Sequence, residues 1–312
     1  MITALNEQFL KDVIAGLSKP QKQLSSKYFY DDEGDKLFQQ IMLMPEYYLP
    51  ACELEILQLQ TQSIAESFGY NTFDIVELGA GDGTKTVHFL KKLTDLGKKI
   101  VYYPLDISAD VLATNQQQIL EHIPGLEMYP IVGDYFETLG YLKHDNPKIL
   151  LFMGSNIGNY ENEKAVAFLK LLYDKMNPND LLMLGVDLKK NPKTILNAYD
   201  DKQGITKAFN LNLLRRMNVE LDANFDIDEF DHYPYYEPIT GIAYSYIFSK
   251  KSQDVHIDGH KISFEENEMI HTEVSQKYSL KQLDDIQRVL NFSSVQHFLD
   301  NRQYYAVSVF KK

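Results

Sequence analysis

Apolar and polar positions change period along this chain. From Glu7 to Leu17 the apolar residues Phe9, Leu10, Val13, Ile14 and Leu17 recur at helical spacing, and Pro20 follows the end of that helix. Asp35 to Leu43 predicts a short amphipathic helix with Leu37, Phe38 and Ile41 on one face. Tyrosines flank it, Tyr28 and Tyr30 before and Tyr47 and Tyr48 after. Glu53 to Ser67 reads as a further helix. From Asp74 the pattern becomes an alternation of apolar runs and helical stretches. Strands are expected at Asp74 to Leu78, Lys99 to Leu105, Leu126 to Val132, Lys148 to Met153 and Asp180 to Val186. Helices are expected between them, at Thr84 to Leu96, Ala109 to Ile123 and Glu161 to Met176. Near-continuous apolar strands separated by helices predict a parallel sheet covered on both faces, hence an α/β fold.

The alternation stops after Leu188. Asn191 to Tyr199 and Ile205 to Leu221 read as helices, and Phe225 to Pro238 reads as an irregular aromatic and acidic loop. Ile242 to Ser249 alternates like a strand, and Val255 to Phe264 predicts a hairpin across Asp258-Gly259. Leu280 to Leu290 predicts a helix, and Ser294 to Leu299 with Tyr304 to Phe310 a closing hairpin. Residues 53–189 plus 277–312 therefore form one expected domain. Residues 1–52 plus 190–276 form a second, non-contiguous α+β domain.

Composition narrows the function. The chain has 312 residues and a formal charge of −13, from 44 acidic and 31 basic residues. An acidic surface repels phosphate backbones, so no nucleic-acid partner is expected. The single cysteine, Cys52, allows no intrachain disulfide and fits a reducing cytoplasm. The N-terminus lacks a signal pattern and no apolar run approaches membrane-spanning length, so no membrane partner is expected.

The stretch Asp74 to Thr86, DIVELGAGDGTKT, carries the first chemistry. A strand ending in Gly79, Gly81 and Gly83 and opening a helix lets the backbone approach a nucleotide-like ligand. The spacing G-x-G-x-G behind an acid differs from the dinucleotide motif and is what S-adenosylmethionine (SAM) sites show. Asp106 follows the second strand, where a carboxylate can accept from ribose hydroxyls; capping the next helix is its alternative, a task Ser108 does equally well. Asp134 follows the third strand, suited to an adenine amine, with Tyr135 beside it as a stacking candidate. Lys85 is either a solvated surface lysine or a cation near a ligand carboxylate. No metal site is expected: the histidines lack paired ligand spacing, and Asp226, Asp228, Asp231 and His232 read as a solvated loop.

Further segments carry a resemblance. They are KYFYDDEGDKLFQQI, PEYYLPACELEIL, ELGAGDGTKT, YYPLDIS, GDYF, FMGSNIGNY, LMLGVDLKKNP and HTEVSQKYS, in that order over essentially the whole chain. The chain resembles the histidine-specific N-methyltransferases of ergothioneine biosynthesis, which use SAM to methylate the α-amine of L-histidine. The resemblance implies a Rossmann-like SAM-methyltransferase sheet with a separate substrate-binding domain; a monomer is expected. It implies that Tyr30, Gly79, Lys85, Asp106, Asp134 and Tyr135 contact SAM. Tyr47, Gly154, Asn159 and Tyr199 match positions that hold the amine and carboxylate of the amino acid, with Tyr47 the candidate catalytic residue. Glu273 and Ser275 match those that hold the imidazole. Ser245 stands where the family tends to have methionine, which makes the side-chain pocket roomier and more polar. Asn156 replaces the usual threonine. The expected reaction is methyl transfer to histidine, with three methyls giving a betaine, hercynine. Another amino acid or indole-type amine is the alternative acceptor. A non-catalytic SAM-binding module is the alternative from another class.

Overall fold

The computed structural model describes residues 4–133 and 146–312. The chain divides into two compact units, a sheet unit of Leu49–Lys189 with Gln276–Lys312 and a companion unit of Met1–Tyr48 with Lys190–Ser275. In chain order the companion unit opens with α1 (Ala4–Leu17) and α2 (Asp32–Leu43). The sheet unit follows with α3 (Leu49–Phe68), β1 (Thr72–Leu78), α4 (Thr86–Asp95), β2 (Lys99–Asp106) and α5 (Ala109–His122). It continues through β3 (Glu127–Met128), β4 (Ile131–Val132), β5 (Lys148–Phe152), α6 (Asn162–Lys175) and β6 (Leu181–Asp187). The companion unit resumes with α7 (Pro192–Asn197), α8 (Ile205–Glu220) and strands β7 (Phe230–Glu237), β8 (Ile242–Ser249), β9 (Gln253–Ile257), β10 (His260–Phe264) and β11 (Met269–Gln276). The sheet unit closes with α9 (Leu280–Val289), β12 (Ser294–Leu299) and β13 (Tyr305–Lys311).

The sheet unit is a Rossmann-like α/β layer. Its strands run in the order β12-β13-β6-β5-β1-β2-β3, with β4 also on β2. Pairing is parallel from β6 to β3, and β13 enters antiparallel to both β6 and β12. All seven residues of β6 and all five of β5 are buried, as expected where helices cover both faces. The strand order reverses between β1 and β5, and the carboxyl ends of such neighbours are where this fold binds ligands. The expected single strand at 126–132 is broken into β3 and β4. Pro130 sits between them and supplies no N–H to the ladder.

The companion unit packs α1, α2 and α8 with strands around its own apolar core, which includes Phe9, Val13, Leu213, Met217, Phe230 and Phe264. Strands β11-β8-β7 form a three-stranded antiparallel-containing sheet, and β9 and β10 form the expected hairpin, with Asp258 and Gly259 at positive φ. The segment 225–238 is corrected from loop to structure. Ile227–Glu229 is a short 3-10 turn and β7 pairs along its whole length with β8. Pro234 is tolerated in β7 because that strand ends the sheet and needs donors on one side only. Among the described residues no helix is long and apolar enough to cross a membrane.

Candidate active site

The glycine loop lies at the carboxyl end of β1. Gly79, Gly81 and Gly83 adopt φ of 69°, 55° and 79°. The N–H groups of Gly79 and Ala80 both donate to the Leu105 carbonyl at the end of β2, at 2.9 and 3.0 Å. Only glycine suits position 83, where a Cβ would lie 2.9 Å from the amide nitrogen of buried Asn115. That amide donates to the Gly81 carbonyl at 3.0 Å, so α5 braces the loop.

Asp106 and Ser108 divide the two tasks considered for Asp106. Ser108 caps α5, accepting from the Val111 N–H at 3.3 Å. Asp106 accepts from the Gly81 N–H at 3.2 Å through one oxygen and from the Ser108 N–H at 3.1 Å through the other. Each oxygen keeps a further lone pair for hydroxyl donors. Behind the loop, Glu77 is buried and accepts from Thr86 Oγ1 at 2.6 Å and from the Tyr102 hydroxyl. Burial pushes its pKa up to about 7 against those hydrogen bonds.

Lys85 precedes α4 and is not a simple surface lysine. Its ammonium pairs with Glu53 of α3, whose side chain is 1% exposed. Burial works against the charged ammonium, but the Glu53 charge and hydrogen bond outweigh it and raise the Lys85 pKa. Gly154, exposed just beyond β5 at φ 71°, donates its N–H to the same carboxylate at 2.7 Å. Ser155 follows at φ 58°, and the 3-10 turn Asn156–Asn159 presents Asn159 to solvent. Asp134 and Tyr135 lie outside the described residues. The hydrogen-bond-accepting Asp106, the open glycine loop and the cationic Lys85 are a set that fits an adenosyl group with an amino-acid tail.

The other candidates belong to the companion unit. Ser245 of β8 is buried and its hydroxyl donates to Glu273 Oε2 of β11 at 3.3 Å. Ser275 is buried at the end of the same strand. Tyr30 has a raised pKa, through desolvation first and then the charge of Glu273, with Asp35 and Tyr199 adding. Glu273 and Tyr199 therefore both act electrostatically on Tyr30 within this unit. Tyr47 meets Phe38 edge-on at 6.5 Å, and Phe38 in turn meets Tyr30 at 5.5 Å. Tyr199 is buried beyond α7. Tyr30, expected with the donor residues, shares its unit with the acceptor candidates Tyr47, Tyr199, Ser245, Glu273 and Ser275, whereas Gly154 and Asn159 belong to the sheet unit. The acidic cluster divides: Asp226 and Asp228 are exposed at a short turn, as expected, whereas Asp231 pairs with Lys207 at 2.7 Å and His232 is half-buried with its pKa lowered to about 4 by burial.

Glu53 escaped the sequence reading. Its trace was an acid on the apolar stripe of a helix, among Leu49, Cys52, Ile56 and Leu57, which are all buried. A charge at such a position is costly unless it is paired.

A family model described as histidine-specific methyltransferase, SAM-dependent, matches residues 9–312. A histidine N-alpha-methyltransferase of Mycolicibacterium smegmatis is 39% identical over 226 residues, covering 72% of this chain and 70% of that one. An ergothioneine biosynthesis protein 1 of Neurospora crassa is 35% identical, over 67% of this chain and 24% of the fungal one. A 4-dimethylallyltryptophan N-methyltransferase of Epichloe festucae var. lolii is 31% identical, over 60% of this chain and 57% of that one.

Proposed function

The chain belongs to the histidine-specific, SAM-dependent methyltransferase family, and from that premise we propose that it methylates the α-amine of L-histidine, adding three methyls to give a betaine. SAM, when bound, supplies an electrophilic methyl group on sulfur. Asp106 would accept from the ribose hydroxyls, Gly79 would leave room for the ligand against the backbone, and Lys85 would hold the carboxylate of the donor. Asp134 and Tyr135 would take the adenine, and Tyr30 would help close the donor site.

On the acceptor side, Tyr47, Gly154, Asn159 and Tyr199 would hold the amine and carboxylate of the amino acid. Glu273 would accept from one imidazole N–H and Ser275 would serve the other ring nitrogen. The attacking amine has to be neutral. Tyr47 would accept an amine N–H in the first two transfers and hold the lone pair in line. Each transfer forms an N–C bond as the S–CH3 bond breaks and S-adenosylhomocysteine leaves. The first two products lose a proton to solvent before the next attack, and most of the rate gain comes from positioning and exclusion of water. The observation that carries the acceptor reading is Glu273 beside the Ser245 hydroxyl, its charge also felt at Tyr30. A ligand without an imidazole N–H would offer that carboxylate no ring donor to replace its water, at a cost of about 1–3 kcal/mol.

Ser245 favours a second reading, an indole-type or other amino-acid amine as acceptor, because it makes the neighbourhood of Glu273 smaller in side chain and more polar than methionine would. Mass spectrometry of the products from SAM with histidine or with tryptophan derivatives separates the two. Methyl masses on the histidine α-amine support the first reading; methylation of other amines alone replaces it with the second. A protein that binds SAM and modifies neither would be a binding module. The acidic balance supports an enzyme without a nucleic-acid partner and the single cysteine a cytoplasmic one; a monomer completes the proposed reading. A dimer mass in light scattering would remove the monomer from it.

A further inference from the structure

Resting on the donor reading above, we propose that Glu53 is a positioning residue for the methyl donor, acting through Lys85, with the Gly154 amide and the Tyr305 hydroxyl as its anchors. Three donors from three different elements converge on its buried carboxylate. One oxygen takes the Lys85 ammonium, which leads into α4 behind the glycine loop. The other takes the Gly154 N–H at 2.7 Å, just past β5, and the hydroxyl of Tyr305, which is fully buried on β13. Because β1 and β5 are neighbours on either side of the reversal in strand order, Glu53 ties together the two loops that flank the ligand-binding end of the sheet.

The sheet makes room for this carboxylate. Gly185 sits within β6, a strand whose other residues are all large or branched save Asp187. A Cβ at position 185 would lie 2.5 Å from the Tyr305 hydroxyl, 2.8 Å from Glu53 Oε2 and 3.2 Å from the Met153 Cα. None of these can retreat cheaply, since two are held by the same hydrogen bonds and one is backbone. A glycine in a strand interior marks such a close approach. Lys85 itself remains 34% exposed, so its ammonium is anchored on one side by Glu53 and retains donors for an anionic ligand on the other. Glu53 touches no reacting atom. Its effect is to fix where Lys85 points, and hence how well the donor is received.

The test is calorimetric titration with S-adenosylhomocysteine, without acceptor, on the full chain. Glu53→Gln keeps the shape and removes the charge; its affinity should fall about tenfold, the loss of one charge-assisted contact. Lys85→Met should fall by a similar factor. The double variant should fall little further than Lys85→Met alone, because the two act as one unit. In steady state, Glu53→Gln should raise KM for SAM while kcat stays within about twofold. Ile64→Val, buried on the same helix, is the control: it should lower Tm and leave affinity unchanged. An affinity in Glu53→Gln within twofold of the wild type, or losses that add in the double variant, would overturn the proposal. Should Glu53→Gln not fold, Tyr305→Phe decides, since it keeps the charge and removes one anchor. A fall of about threefold supports the role, and unchanged affinity refutes it. Acceptor chemistry does not enter these measurements. A chain that binds S-adenosylhomocysteine and leaves histidine unmethylated refutes the acceptor assignment alone, while normal affinity in the variants refutes the role of Glu53 alone.

Discussion

The two units order their candidate residues by different means. In the sheet unit the strand ends are fixed by backbone and by acids that receive several donors each: Glu77 from Thr86 and Tyr102, Asp106 from two amides, Glu53 from three groups. In the companion unit the candidates are side chains that meet through rings, a hydroxyl–carboxylate bond and charge. A site specified by backbone couples donor affinity to folding. A site specified by side chains on a finished sheet can change selectivity while the fold stays intact.

Glu273→Ala sharpens that contrast most. It should lower kcat/KM for histidine about a thousandfold, ~4 kcal/mol, because the acceptor loses the group that pairs with its ring. Tm and affinity for S-adenosylhomocysteine should stay close to the wild type. An equal loss of donor affinity would break the division between the units.

The units also oppose each other in pH dependence. Glu77 has its pKa raised from 4.5 to about 7 by burial, so the folded chain holds an extra proton between these values. Stability present below 4.5 is lost as pH rises through 7, by about 3 kcal/mol at most. His232 has its pKa lowered from 6.5 to about 4 by burial, with Asp231 and Asp201 opposing. Stability present above 6.5 is lost as pH falls through 4, by a similar order. Urea unfolding of Glu77→Gln and His232→Asn against the wild type between pH 4 and 8 checks both. Relative to the wild type, the first variant should gain with rising pH and the second with falling pH. Flat differences would remove either group as the cause.

Gly83→Ala should be milder, at about 2 kcal/mol, for a positive φ and the encounter with Asn115. Its donor affinity should fall together with Tm. Loss of Tm with full affinity would show that loop geometry and donor binding are separable after all.

What the sequence made legible follows the same division. Strands such as FDIVEL and KILLF are buried on both sides, and their apolar runs stated this directly. The glycine loop and Asp106 were legible because each sits where a strand must stop. β7 was not, because its buried positions, Phe230 and Tyr236, lie among acids and exposed tyrosines, and Pro234 fits a strand only once its edge position is known. Glu53 was hidden for a different reason. Its partners, Lys85, Gly154 and Tyr305, are 32, 101 and 252 residues away along the chain. Only the presence of an acid on an apolar stripe, and a glycine inside β6, pointed to a buried polar meeting point.

Ser245→Met is the gentlest way to probe the contrast. The hydroxyl at 3.3 Å from Glu273 is a long hydrogen bond, worth about 1 kcal/mol or less. Removing it frees a carboxylate lone pair for the acceptor ring, while methionine adds apolar surface beside it. These effects oppose each other, so kcat/KM for histidine should change by less than about fivefold. The ratio of histidine to indole-type acceptors should move further than either rate, since the added bulk acts on one ring size more than on the other. Competition between the two acceptors in one vessel, read by product masses, measures that ratio directly. A ratio that stays fixed would remove Ser245 from the selectivity of this chain. A ratio that moves, with S-adenosylhomocysteine affinity constant, would place selectivity in side chains of the companion unit.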